Sequence, residues 1–252
     1  PRGIGLEVAG IVDAVGEGVD DVAAGDAILG LTDYAGEPSA GAAGVAILDH
    51  WTSLPLGLGM VEAAALPMAV TIAYANVVAL GVRARQTVVV HGAGTTVGFA
   101  AVQIALELGA RVIATAGTAS ADRLRAAGAL VTGYGEGMVD RVHELAGGTP
   151  DLVLDAAPVS GVLPELVRVA AGDARRVLTV SDFGAAADLG ARTSFSEGAV
   201  PRYDVLGDYA QRAAAGTFSI LIARAYPLDE WRDALDRSRS GRAHGKLVLL
   251  PS

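Results

Sequence analysis

The chain has 252 residues, 52% hydrophobic and 19% charged, enough to bury a sizeable core as one large domain or two smaller ones. A net charge of −9 repels phosphate backbones and anionic bilayers, so neither nucleic acid nor membrane is expected as a general partner, though a local pocket for one phosphorylated ligand stays open. The absence of cysteine excludes disulfides, thiolate zinc sites and cysteine nucleophiles, and suits a reducing, cytoplasmic setting. No apolar run approaches the roughly 20 residues of a membrane span.

Pro1 opens at strand-like density with no initiating methionine, so a preceding segment is expected and the lack of a targeting signal carries little weight. Residues 1 to about 60 hold short β-rich runs, "LEVAGIVDAVG", "DAILGL" and "VAILD", divided by Gly/Asp turns as in a small barrel. "VEAAALPMAVTIAYANVVALG", interrupted by Pro67, reads as buried helix. From there to about residue 216 strands and helices alternate. "TVVVHG" leads to a helix from Val97 to Leu108, followed by "ARVIATAG" and a helix over "SADRLRAAG". Then come "ALVTGY", a helix through "MVDRVHELAGG", "PDLVLDAAP", a further helix and "RRVLTVSD". Unbroken Val/Ile/Leu strands separated by helices predict an α/β fold with a parallel sheet covered on both faces. The last region returns to strand–helix–strand, and its "KLVLL" is expected to rejoin the first β-rich region. This gives a discontinuous barrel domain with an inserted α/β domain.

"HGAGTTVG", His91 to Gly98, stands between a strand and a helix. The first helical N–H groups have no intrahelical partners and the helix dipole is positive there, so a diphosphate fits that end. Gly92 and Gly94 allow the turn, and Gly98 lets the helix pack against the strand. Thr95 and Thr96 narrow the space, but their hydroxyls can donate to phosphate or cap the helix, and Val97 opens its first turn. The alternative is a tight strand–helix turn in a glycine-rich chain. The second strand ends at Thr115, at the distance of a ribose. No acid stands at Ala116 to bind ribose hydroxyls, and Gly117, Thr118, Ser120 and Arg123 follow, which favours a 2′-phosphorylated cofactor. Against this, Arg123 can be a solvated helix-face arginine, or be neutralised by Asp122.

Together "PRGIGLEVAGIVDAVGEGV…AAGDAILGL", "AAALPMAVTIAYANVVALGV", "TVVVHGAGTTVGFAAVQIALELGARVIATAG" and "HGKLVLLP" resemble the medium-chain dehydrogenase/reductases, most of all the zinc-independent quinone oxidoreductases. The resemblance implies a Rossmann doubly wound sheet (67–216) inserted in a discontinuous GroES-like β-barrel catalytic domain (1–66 and 217–252). It further implies a missing front segment, NADPH in the cleft between the domains, and a homodimer with sheets joined edge to edge, here through "ARTSFSE". Zinc-dependent members carry Gly-His-Glu where this chain has Gly5-Leu6-Glu7, and Pro67 stands at another ligand position, so no metal is expected. His50, His143 and His244 read as surface or packing residues; His91 is either that or a neighbour of the cofactor.

Carried over by position, Thr71 matches a threonine near the nicotinamide, the alternative being a hydroxyl bonded to its own helix. Tyr134 matches a tyrosine near the adenosine 2′-phosphate. The lysine of that loop has no counterpart, leaving Thr118, Ser120 and Arg123 to substitute, and Thr95 replaces the central glycine of the pyrophosphate turn. Asp155-Ala156 and Val180-Ser181 fall at strand ends that face the cofactor in the family. The implied activity is hydride transfer from NADPH to a small electrophilic acceptor, a quinone or α,β-unsaturated carbonyl. Enoyl-thioester reduction, with a tyrosine donor in the missing segment, and a catalytically weak NADPH-binding structural or regulatory role are the alternatives.

Overall fold

The computed structural model describes residues 3–33 and 40–251. In chain order come β1 (Glu7–Ile11), β2 (Ala27–Thr32), β3 (Leu48–Ser53), α1 (Met60–Ala65), α2 (Pro67–Leu80), β4 (Thr87–His91), α3 (Thr96–Glu107), β5 (Arg111–Thr115), α4 (Thr118–Ala126) and β6 (Leu130–Thr132). They are followed by α5 (Met138–Ala146), β7 (Leu152–Asp155), α6 (Leu163–Val169), β8 (Val177–Thr179), α7 (Phe183–Leu189), β9 (Arg192–Thr193), α8 (Leu206–Ala214), β10 (Ile222–Pro227), α9 (Trp231–Arg239) and β11 (Lys246–Leu250). Among the described residues no helix is long and apolar enough to cross a membrane.

Contacts divide the chain into two units, residues 1–71 with 202–252, and residues 72–201. By this division Pro67–Thr71 and residues 202–216 fall in the first unit.

In the second unit six strands form one parallel sheet in the order β6-β5-β4-β7-β8-β9. This is the doubly wound order, with the reversal between β4 and β7, where such sheets hold ligands beyond the strand C-termini. The apolar runs explain the arrangement: Val88, Val89, Val90, Val112, Ile113, Val153, Leu154, Val177 and Leu178 are all buried, as strands covered on both faces require. One core joins Val89, Ile113 and Val153 to Met138, Val142, Leu163, Leu166 and Val169 of the flanking helices. The "ARTSFSE" segment supplies β9, the sheet's edge.

In the first unit β1, β2 and β3 pair antiparallel, and β10 pairs with β11 in parallel. "KLVLL" shares a unit with the N-terminal strands, and its strand partner among the described residues is β10. One expectation changes here. The third strand lies over Leu48–Ser53, later than "VAILD", because "HWTS" completes the ladder to Ala27–Thr32.

Candidate functional site

The glycine turn follows from steric limits at two positions. Gly92 has φ +71°, and a Cβ there would fall 2.5 Å from the Ala157 amide nitrogen. At Gly98 a Cβ would fall 2.3 Å from the Gly92 carbonyl oxygen, so only glycine lets α3 sit on the end of β4. The limit at Gly94 is softer, since its neighbour is the movable Ser120 hydroxyl, 2.8 Å from an added Cβ.

Thr95 resolves the two roles open to it. Its hydroxyl accepts from the Gly98 amide (2.9 Å), capping α3, and donates to the Ala156 carbonyl (3.3 Å). The amides of Thr96 and Val97, in the first turn, have no hydrogen-bond partner among the described residues. They are the donors that the turn can offer an anion.

At the end of β5 the Thr115 side chain turns inward: its hydroxyl and His91 Nδ1 share a 2.7 Å hydrogen bond, both residues buried. Burial pulls the His91 imidazole down to about 4, so it is neutral at physiological pH. Ala116 is buried and donates to the Thr132 carbonyl (3.1 Å), and Gly117 caps α4. Thr118 and Arg123 are exposed and Ser120 half-buried. Asp122 pairs with Arg125 (2.9 Å), not with Arg123, which has no acidic partner among the described residues. Tyr134 is exposed, its hydroxyl 3.6 Å from the point a Cβ on Gly117 would occupy and its ring edge-on to His91 at 6.5 Å. Gly94, Gly117, Ser120 and Tyr134 are thus brought together.

Arg141 is the residue that sequence reading missed. Its guanidinium donates to the Thr132 hydroxyl (3.0 Å) and to the carbonyls of Gly133 (3.0 Å) and Glu136 (2.8 Å), fixing the loop that carries Tyr134. An arginine in an amphipathic helix otherwise reads as solvated.

The ends of β7 and β8 are tied together. Asp155 is fully buried and accepts from the Thr179 hydroxyl (2.8 Å) and the Ala157 amide (3.1 Å). Desolvation raises its carboxyl to about 6 against these hydrogen bonds, with a small contribution from Asp182. The Val180 amide donates to the Asp155 carbonyl (3.0 Å), and the Ser181 hydroxyl donates to the Ala157 carbonyl (2.6 Å). Asp155 and Ser181 hold the shape of these turns, and their side chains are engaged in doing so.

In the first unit Thr71 is fully buried and its hydroxyl has no hydrogen-bond partner among the described residues. A bond to its own helix is therefore absent, in contrast to Asn76, whose amide donates to the Ile72 carbonyl (2.8 Å). Glu7 fixes the start of α2 by accepting from the Met68 amide (2.7 Å) and pairs with Lys246, the only lysine of the chain. Burial lowers the Lys246 ammonium to about 8, which leaves it charged at neutral pH. Leu6 contributes its carbonyl to the Thr32 amide (3.0 Å), and Pro67 opens α2; neither side chain can ligate a metal. Among the described residues no group of three or more acidic or histidine side chains is gathered as a metal site.

A zinc-binding dehydrogenase family model matches residues 130–249. Erythronolide synthase EryA2 of Saccharopolyspora erythraea is 34% identical over 98% of this chain, which spans 7% of that protein. Quinone oxidoreductase 1 of Escherichia coli (strain K12) is 34% identical over 59% of this chain and 46% of its own length. The chain thus spans less than half of either curated relative. The crystal structure of an NAD-dependent alcohol dehydrogenase superposes with a TM-score of 0.81 at 27% identity, covering 99% of this chain and 82% of the other. A sheet in the doubly wound order, a glycine turn at its reversal point and these likenesses agree, and the chain is similar to the medium-chain dehydrogenase/reductases.

Proposed function

We propose that the protein is a zinc-independent, NADPH-dependent oxidoreductase that delivers hydride to a quinone or an α,β-unsaturated carbonyl. The observation that carries this reading is Thr71, a fully buried hydroxyl with no hydrogen-bond partner among the described residues. Leaving a buried polar group unpaired costs about 1–3 kcal/mol, so such a hydroxyl is accounted for when a ligand supplies its partner. Thr71 orients the nicotinamide or the acceptor oxygen. The amides of Thr96 and Val97 hold the diphosphate beside Gly94, and Thr118, Ser120, Arg123 and Tyr134 hold the 2′-phosphate. The cofactor supplies the hydride when bound. With Leu6 and Pro67 at the ligand positions of zinc-dependent members, no Lewis acid activates an alcohol, whereas a conjugated acceptor is already electrophilic and needs positioning above all.

A second reading, reduction of an enoyl thioester, is favoured by the similarity to erythronolide synthase and to the Streptomyces polyketide synthase GfsB, 43% identical over 51% of this chain. The same residues serve both acceptors. The edge position of β9, with Phe195 largely exposed beside it and packed on Phe183 at 4.8 Å, supports a homodimer built across that edge.

The test is steady-state NADPH oxidation with a panel of quinones, enones and enoyl thioesters, alongside NADP⁺ with simple alcohols. Turnover of a conjugated acceptor with inert alcohols is expected; rapid alcohol oxidation with inert enones overturns the reading, and NADPH binding without turnover favours a structural role. Arg123→Ala is expected to weaken NADPH, but not NADH, by about 10- to 150-fold, the worth of one charge-assisted phosphate contact.

A further inference from the structure

Conjugate reduction needs a proton as well as a hydride, and the first unit holds a group placed to give one. β3 exposes alternate residues on one face, so His50 and Thr52 look the same way. Gly30 on β2 sets that backbone: a Cβ there would lie 2.1 Å from the His50 carbonyl oxygen. The segment that packs on this face is the single 3₁₀ turn Tyr203–Val205 with the start of α8. Gly207 lies so close that a Cβ would fall 3.0 Å from the Thr52 hydroxyl. The ring of Tyr203 is thereby laid against the His50 imidazole, centroids 3.6 Å apart and planes inclined by 36°. His50 Nδ1 is buried 3.0 Å from Asp49 Oδ1, without hydrogen-bond alignment.

The same turn reaches the unpartnered threonine. The amide of Arg202, one residue before Tyr203, donates to the Thr71 carbonyl (3.2 Å). The Arg202 guanidinium folds back onto Asp204 through two bonds of 2.7 and 2.6 Å, and Tyr203 follows it in the same turn. Among the described residues the Tyr203 hydroxyl has no hydrogen-bond partner. Burial, and secondarily the Asp49 charge, push its phenol above the ordinary range, so it keeps its proton at neutral pH.

We infer that Tyr203 is the proton donor of the reduction and that His50, held beside Asp49, is its positioning residue. This rests on the hydride-transfer reading above, and it locates the donor within this chain instead of in a segment before Pro1. The acceptor's β-carbon takes the hydride with its electron pair, and the C=C pair moves into the carbonyl as an enolate. The α-carbon then forms a C–H bond with the phenolic proton as the Tyr203 O–H bond breaks. The phenolate regains its proton from water.

The test uses the whole protein and Tyr203→Phe, which keeps the ring against His50. With a 2-methyl enone, the parent is expected to give one configuration at the α-carbon. The variant is expected to turn over about 100-fold more slowly and to give a mixture of configurations, since solvent then protonates from either side. A binding readout independent of turnover is p-nitrophenolate, a stable mimic of the enolate oxyanion, whose absorbance reports binding. Its affinity is expected to fall about 10-fold in Tyr203→Phe and to fall less in His50→Gln. A slower variant that keeps one configuration, or unchanged phenolate affinity, overturns the assignment. A parent inert toward every enone overturns the hydride reading instead, and the phenolate comparison then decides the Tyr203 site alone.

Discussion

In the unit of residues 72–201, Thr95, Thr115 and Thr179 each turn a hydroxyl onto a protein group: a helix amide, a histidine ring, a buried carboxylate. In the other unit Thr71 is buried as deeply as Thr115 and Thr179, yet its hydroxyl has no hydrogen-bond partner among the described residues. Saturated polar groups fix backbone, because removing one partner leaves the other unpaired and costs about 1–3 kcal/mol. An unsaturated one contributes little to the fold, and on the proposed reading it is kept for a ligand.

The largest effect expected on this comparison comes from a charged pair of the first unit that is saturated as the threonines of the second unit are. Glu7 engages both the Met68 amide and Lys246. Lys246→Met leaves Glu7 largely buried without its cation, and the expected loss is about 3–5 kcal/mol by denaturant unfolding. The double variant with Glu7→Gln is expected to recover part of it. A loss below about 1 kcal/mol for Lys246→Met would show that this pair does not hold the start of α2.

Next in size is a pH effect in the saturated region. The Asp155 carboxyl is raised from 3.8 to about 6 on folding, so its contribution to stability is present at low pH and lost as pH rises through that window. The His91 imidazole is lowered from 6.5 to about 4, so its contribution is present above 6.5 and lost as pH falls. At about 1.4 kcal/mol per pH unit each amounts to roughly 3 kcal/mol, and between pH 4 and 6 the two oppose one another. Asp155→Asn is expected to uncover the His91 slope, with stability rising steeply from pH 4 to 6. His91→Gln is expected to uncover the reverse. Equal pH profiles for parent and both variants would remove these groups from the account.

Smaller again is Gly98→Ala. Its Cβ would press on the Gly92 carbonyl at 2.3 Å, and overpacking of this kind costs about 1–3 kcal/mol while displacing the Thr96 and Val97 amides. NADPH affinity is expected to fall together with stability. Cofactor binding at parental strength in a destabilised variant would separate the turn from the ligand.

How much of this the sequence disclosed follows from the range of the interactions. The strand Thr87–His91 and the helix after it are written in a continuous apolar run and a glycine turn, so both were legible to within a residue. The two-residue β9 edge strand and the β10–β11 pairing carry no local pattern of their own, and "KLVLL" fits either partner by composition. The glycines of the site were legible because their reason is steric and local. Whether Thr95 caps or Thr115 faces inward depends on which chain segment arrives beside it, and no spacing encodes that. Arg141, Lys246 and the stacking of Tyr203 on His50 were invisible for the same cause.

The unpartnered hydroxyl itself is tested most directly by Thr71→Val, which keeps the volume and removes the oxygen. Unfolding of the apo protein and NADPH-dependent reduction of an enone are measured side by side on parent and variant. The expected result is stability unchanged or slightly raised, with turnover reduced about 10- to 100-fold, roughly 1.4 kcal/mol per decade. Stability lowered by more than about 1 kcal/mol with turnover untouched would contradict the account and return Thr71 to the class of threonines that hold the fold.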